Sequence, residues 1–228
     1  MKTSGRRTRA EVRGATRVIK SRFGSKLDAT VQAIFPFLFH RPLSPNALTV
    51  LGVFVSVAAA VALGMGALVL GGILLLAGGF FDLVDGVVAR HFERQTPFGA
   101  FLDSTMDRLV DMVLLLGVIV YLAGEGDRGG VILAGVAGIG GVMTSYIKAR
   151  AETIIPVLDS GFFERAERIL ILALGVLSGW LIACLWILAL GSVYTASARF
   201  VAARRAIEGK PGTADFTIEP SRPSGEQE

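Results

Sequence analysis

Six apolar stretches of the 228-residue chain read as membrane-crossing helices, at 46–63, 67–89, 98–122, 130–147, 166–178 and 180–198. A helical span needs about 20 mostly apolar residues. The fifth stretch is short by that measure, and it meets the sixth at Ser178-Gly179, which reads as a tight turn. If that junction stayed helical, the count would fall to five. Ahead of the first span, residues 23–45 pass from polar (FGSKLDAT) to apolar and aromatic (VQAIFPFLFH). That gradient predicts a helix lying along the membrane surface. Ser44-Pro45-Asn46 then supplies helix-start residues. The pattern predicts an all-α integral membrane protein. Its parts are an arm at 1–22, an interfacial helix at 23–45, a six-helix domain at 46–208 and a polar, disordered tail at 209–228.

Composition agrees with the pattern. Hydrophobic residues make up 52% of the chain and mean hydropathy is +0.60, too apolar for an ordinary soluble domain. Glycine is abundant at 28 residues, which suits helices packed closely inside a membrane. A single cysteine, Cys184, excludes an internal disulfide framework and reads as a small core residue.

Charge placement orients the chain. Nine of the 23 Lys and Arg lie between Lys2 and Lys26. With membrane spans following, this arm points to anionic lipid rather than nucleic acid. The loops near 90–94 and 148–168 and the 199–210 end are also basic, whereas the intervening connections hold only Arg128. Six spans put every basic segment on one side, which is expected to be cytoplasmic, with both termini there and the chain in the plasma membrane. Five spans would place the basic C-terminal end outside, so six is preferred.

Against this apolar background, Asp82, Asp85, Asp103, Asp107 and Asp111 stand in or beside the second and third spans. Carboxylates there are expensive and mark function unless they are paired. Pairing with Arg90 or Arg108 could lock two helices, but the acids outnumber those arginines. Asp82 and Asp85 are three apart, and Asp103 and Asp107 four apart, so each pair shares a helix face. A short link makes the two spans antiparallel neighbours, and the four carboxylates are expected to converge at its end. Unpaired they would repel one another, and a divalent cation resolves the conflict. An all-oxygen set suits Mg²⁺ or Mn²⁺ and not zinc, because only His40 and His91 exist and His91 reads as interfacial. Gly86 and Ala89 on the Asp85 face would let a nucleotide approach the helix, or simply let helices pack. Arg90 could meet a phosphate. A cation-transport path lined by these aspartates is a second reading, which the cationic Arg90 disfavours.

The residues Asp82, Asp85, Gly86, Ala89, Arg90, Gly99, Asp103 and Asp107 form D-x2-D-G-x2-A-R-x8-G-x3-D-x3-D. This pattern resembles the signature of the CDP-alcohol phosphatidyltransferase family, with every spacing kept. Ser44-Pro45-Asn46 and Thr49, at the entry to the first span, also look like the family's. The likeness covers residues 41–205. It implies a six-helix, dimeric membrane enzyme with a cytoplasm-facing polar cavity. It implies metal binding by Asp82, Asp85 and Asp103, with Asp107 ligating a second ion or acting as base. It implies a CDP site built from Asn46, Thr49, Asp85, Gly86, Ala89, Arg90 and Gly99. In such enzymes an acceptor hydroxyl attacks the lipid-bearing phosphorus of CDP-diacylglycerol or CDP-archaeol, and CMP leaves. Asp111 lies outside the signature and is expected to matter less.

The acceptor is the open question. Lys148, Arg150, Arg168 and Arg199 all fall at the basic membrane boundary. They read either as topology anchors or as a pocket for a second anion, hence for an alcohol that already carries phosphate. The segments SYIKARAE and ERAER resemble bacterial phosphatidylinositol phosphate synthases and their archaeal counterparts. That resemblance favours inositol phosphate, with glycerol phosphate as the rival.

Overall fold

The computed structural model describes residues 44–92, 96–155, 158 and 163–209. Apart from Ser44, Pro45 and Gly209, the basic arm, the interfacial helix and the C-terminal tail expected from the sequence lie outside the described residues.

Six helices make up the structure: α1 Pro45–Gly64, α2 Leu68–His91, α3 Pro97–Gly124, α4 Arg128–Ala151, α5 Arg165–Ser178 and α6 Leu181–Glu208. Their starts are written locally. Pro45 and Pro97 occupy first-turn positions, where a missing N–H costs nothing. Thr96 caps α3 by accepting from the Gly99 N–H at 2.9 Å. Glu164 and Glu167 cap α5 reciprocally, each side chain accepting from the other's backbone N–H. The expected turn after Ser178 is present: Gly179 has φ of 78°, a left-handed conformation open to glycine. Gly66 and Gly126 play the same part between α1 and α2 and between α3 and α4.

These three tight turns lie on one side of the bundle. The longer links, and the ends of α2 and α4 with the starts of α3 and α5, lie on the other. α6 extends to Glu208, ten residues past its expected apolar end, because its last turns are rich in Ala, Arg and Glu and continue as a polar helix. Helices α1, α2, α4 and α6 are long and apolar enough to cross a membrane. α3 is long enough but carries Asp103, Asp107, Arg108 and Asp111 between its start and its midpoint turn. α5 has 14 residues, roughly 21 Å at 1.5 Å per residue, less than a bilayer's hydrocarbon core of about 30 Å.

The helices pack as a closed ring in the order α1, α2, α5, α6, α4, α3 and back to α1. The two acid-bearing helices are therefore not packed as the hairpin that their short link suggested. Each rests on α1 instead, which leaves space between them. The main core (Ala59, Leu63, Leu75, Leu114, Val118, Leu185 and Leu188 among others) fills the half of the ring nearer the tight turns. Phe54, Val61, Ile132, Ile139, Leu174 and Leu190 stand exposed around the outside, as a lipid-facing surface requires.

Glycine sets how closely α1 and α3 approach. A Cβ at Gly117 would sit 2.3 Å from the Ala60 carbonyl oxygen, a backbone atom that cannot swing away. Gly117→Val is therefore expected to destabilise the protein by about 1–3 kcal/mol through overpacking. Gly124→Ala should not, because nothing lies within 4 Å of a Cβ there. Thermal unfolding in detergent, with both variants beside the parent chain, checks the pair.

Candidate active site

The alternation of helix direction brings the ionisable residues to one end of the ring. Asp82 and Asp85 lie near the end of α2, Asp103, Asp107 and Asp111 near the start of α3, and Arg165 and Arg168 in the first turn of α5. α1 contributes Asn46 and Thr49, one and four residues beyond its opening Pro45.

Asp82, Asp85 and Asp103 each offer a carboxylate oxygen within 4.8 Å of the other two. Such a close set of hard oxygen donors fits a divalent cation, as the spacing suggested. Asp85 is the most buried, at 5% exposed. Its carboxylate accepts a 2.5 Å hydrogen bond from Thr49 Oγ1, which ties α1 to α2 at the site. His91 is exposed and rests edge-on against Phe92, away from any ligand role.

Beside the triad opens a cleft of about 600 Å³, lined by Asn46, Thr49, Asp85, Gly86, Ala89, Arg90, Gly99 and Asp103 together with Pro45, Thr96 and Ala100. Every residue named from sequence as a nucleotide contact borders it. Gly86 is not a packing glycine: a Cβ there would meet only the Arg90 side chain, 3.3 Å from Nη1. Gly99 is more confined, with Asn46 Oδ1 3.2 Å and Thr96 Oγ1 3.1 Å from a Cβ position. A second, larger cleft of about 1330 Å³ shares Asp85, Gly86, Arg90 and Asp103 with the first and continues to Asp82, Asp107, Arg165, Leu76, Phe80 and Leu170.

Asp107 falls outside that mutually close trio but lies beside Asp82. Its Oδ1 lies 2.9 Å from Arg165 Nη1, the same atom that is 2.5 Å from Asp82 Oδ2. Arg165 Nε reaches Asp111 Oδ1 at 3.3 Å, and the other Asp111 oxygen pairs with Arg168 Nη2 at 2.8 Å. Arg165 was not singled out from sequence. Asp111, which the signature omits, is the carboxylate shared by two arginines. A signal did exist: Arg165 and Arg168 are three apart on one helix face, and Asp103, Asp107 and Asp111 form a ladder of period four. What sequence could not give is that α5 faces both α2 and α3.

The four expected acceptor cations separate into two groups. Arg168 is 11% exposed on its side chain and Arg199 is 8% exposed. Both converge on the fully buried Thr144 of α4. Arg199 Nη1 donates to its backbone oxygen at 2.7 Å and Arg168 Nη1 to its Oγ1 at 3.3 Å. Lys148 and Arg150 sit on the last turn of α4, half-buried and exposed respectively. Thr144 itself was legible only as one more small residue in a glycine-rich helix.

The family pattern described as CDP-alcohol phosphatidyltransferase matches residues 42–197. An archaetidylinositol phosphate synthase of Methanothermobacter thermautotrophicus is 40% identical over 149 residues, 65% of this chain and 74% of that protein. Among solved structures, Mycobacterium tuberculosis phosphatidylinositol phosphate synthase with CDP-DAG bound superposes with a TM-score of 0.68 at 31% identity, covering 85% of this chain and 98% of the other. The same enzyme in complex with manganese and citrate gives a TM-score of 0.71 at 33% identity, covering 81% and 92%. With the multi-pass membrane fold, the acid cluster and the match over residues 42–197 in agreement, this chain belongs to the CDP-alcohol phosphatidyltransferase family.

Proposed function

We propose that this enzyme transfers the phosphatidyl group, or its ether-lipid equivalent, from CDP-diacylglycerol or CDP-archaeol to a hydroxyl of inositol phosphate, releasing CMP. The observation that carries this reading is a meeting of three chemistries at one end of the ring. A carboxylate triad, a cleft walled by small residues, and a half-buried and a buried arginine gathered on Thr144 lie at that end. The relatives' names, archaetidylinositol and phosphatidylinositol phosphate synthase, support the acceptor. Arg165, set among the acids, disfavours the ion-pathway alternative, since a guanidinium lodged there competes with a cation in transit.

Asp82, Asp85 and Asp103 would hold the first of two divalent ions, Mg²⁺ or Mn²⁺, which when bound neutralises the pyrophosphate and the departing CMP. Thr49 keeps the Asp85 carboxylate in place. Gly86, Ala89 and Gly99 leave the room that a cytidine occupies, Asn46 borders it, and Arg90 holds a nucleotide phosphate. Asp107 either contributes to the second ion or accepts the proton of the attacking hydroxyl. Arg168 and Arg199, with Lys148 and Arg150 toward the surface, hold the acceptor's phosphate. The lipid tails lie against Leu76, Phe80 and Leu170, which border the larger cleft on its apolar side. By the distribution of Lys and Arg, six membrane crossings put this end in the cytoplasm.

Removal of divalent metal by EDTA should abolish CMP release, and Mg²⁺ or Mn²⁺ should restore it. Asp82→Asn, Asp85→Asn and Asp103→Asn should each lose nearly all turnover while still folding, since taking one anion from a crowded acidic site relieves repulsion. Full activity in excess chelator would exclude the metal role. Gly86→Leu should leave thermal stability close to the parent's, because only a flexible side chain stands in the way. It should nevertheless weaken CDP-lipid binding strongly, and unchanged affinity would remove the cleft from the nucleotide site.

The acceptor is tested separately. Arg168→Ala should raise the KM for inositol phosphate by about tenfold or more, the effect of losing one charge-assisted hydrogen bond. The KM for CDP-lipid should change little. Labelled CDP-lipid incubated with inositol phosphate, glycerol phosphate and free inositol in turn should yield product with the first. Equal use of free inositol would end the assignment of an acceptor-phosphate site, and preference for glycerol phosphate would reassign the acceptor.

A further inference from the structure

Arg165 stands on ground that a bound cation also needs. Its Nη1 bridges Asp82 and Asp107 at 2.5 and 2.9 Å, and Asp82 is also a member of the metal-fitting triad. A carboxylate has lone pairs enough to share, so contact geometry alone does not force a choice. Electrostatics does. A guanidinium a few ångströms from a divalent ion repels it, and in a half-buried site this is only partly screened.

We propose that Arg165 is a built-in counter-cation. It neutralises the acid cluster when no metal is bound, and it is displaced from Asp82 and Asp107 when a divalent ion enters. The proposal rests on the metal reading above and goes beyond it by assigning a residue that competes with the metal.

Three observations make the exchange feasible. Arg165 has a second anchor, since its Nε contacts Asp111, which lies outside the triad. The side chain can therefore release Asp82 and Asp107 and pivot without losing every partner. Its backbone is fixed, because Arg165 opens α5 within the Glu164–Glu167 capping box. Motion is thus confined to the side chain. There is also space to receive it, since Arg165 lines the larger cleft of about 1330 Å³. Metal entry then exchanges one positive charge for two at the triad and frees a guanidinium on the cleft wall.

A purely supporting role for Arg165, steadying Asp82 as a ligand, predicts the opposite effect on metal affinity, so the sign decides. Mn²⁺ affinity is measured on the purified full-length protein without substrate, by the electron-paramagnetic-resonance signal of free Mn²⁺. Arg165→Gln should bind Mn²⁺ at least about tenfold more tightly than the parent, the equivalent of one charge-assisted hydrogen bond no longer broken. Its metal-free form should melt lower, and Mn²⁺ should raise its Tm by more than it raises the parent's. Arg165→Lys cannot bridge three carboxylates at once and should bind Mn²⁺ several-fold more tightly than the parent. If the Gln variant cannot be purified folded, the Lys variant decides. Arg204→Gln removes the same charge from an exposed pair with Glu208 and should leave Mn²⁺ affinity unchanged. Equal or weaker Mn²⁺ binding by the Arg165 variants, with the parent binding normally, overturns the proposal. Failure of the parent to bind Mn²⁺ at all overturns the metal reading and this proposal with it.

Discussion

The structure depends on where five aspartates can be kept. Asp82, Asp85, Asp103, Asp107 and Asp111 occupy helices that run into a membrane, where an uncompensated carboxylate is strongly unfavourable. Four of them are met in a particular way. Thr49 donates to Asp85, Arg165 joins Asp82, Asp107 and Asp111, and Arg168 takes the remaining Asp111 oxygen. These contacts come from two helices, α1 and α5, besides the two that carry the acids, so the ring cannot be opened at this end without exposing unpaired charge.

The ring order follows from that need. A hairpin of α2 and α3 packed face to face would press the acids together with nothing between them. With α1 under both, and α5, α6 and α4 closing the circle, the acid-bearing faces look into a space that guanidinium groups can enter. The opposite half of the molecule is built for cohesion. It has three short glycine turns and an apolar core, with glycines where backbones touch, as at Gly117 against Ala60.

Around Thr144 arginines gather instead. Thr144 collects Arg168 on its hydroxyl and Arg199 on its carbonyl, so a half-buried and a buried guanidinium stand close together. Asp111 pairs with Arg168, and the carboxylates of Glu164 and Glu152 lie within electrostatic reach of Arg199. Guanidinium groups converging this closely repel one another, which is costly for a protein that binds nothing there and favourable for one that receives a phosphate, as the proposed phosphorylated acceptor would supply.

Much of this was legible in the sequence because it is local. Apolar runs, Pro at helix starts, Ser178-Gly179 and the i, i+3 and i, i+4 spacing of acids each involve residues within a turn or two of one another. They gave the all-α class and the six helices to within a few residues except at the end of α6, and the residues carried by the family likeness border the smaller cleft. The family likeness rested on the same short-range spacing, residues 82–107. What the sequence could not supply is which helix faces which. Separations of 83 residues between Asp82 and Arg165, and of 55 between Thr144 and Arg199, carry no spacing signal. The partnership of Arg165 with the acids, the role of Asp111 between two arginines and the splaying of α2 from α3 were decided by tertiary packing alone, because the free energy of burying charge depends on neighbours in space and not on neighbours in the chain.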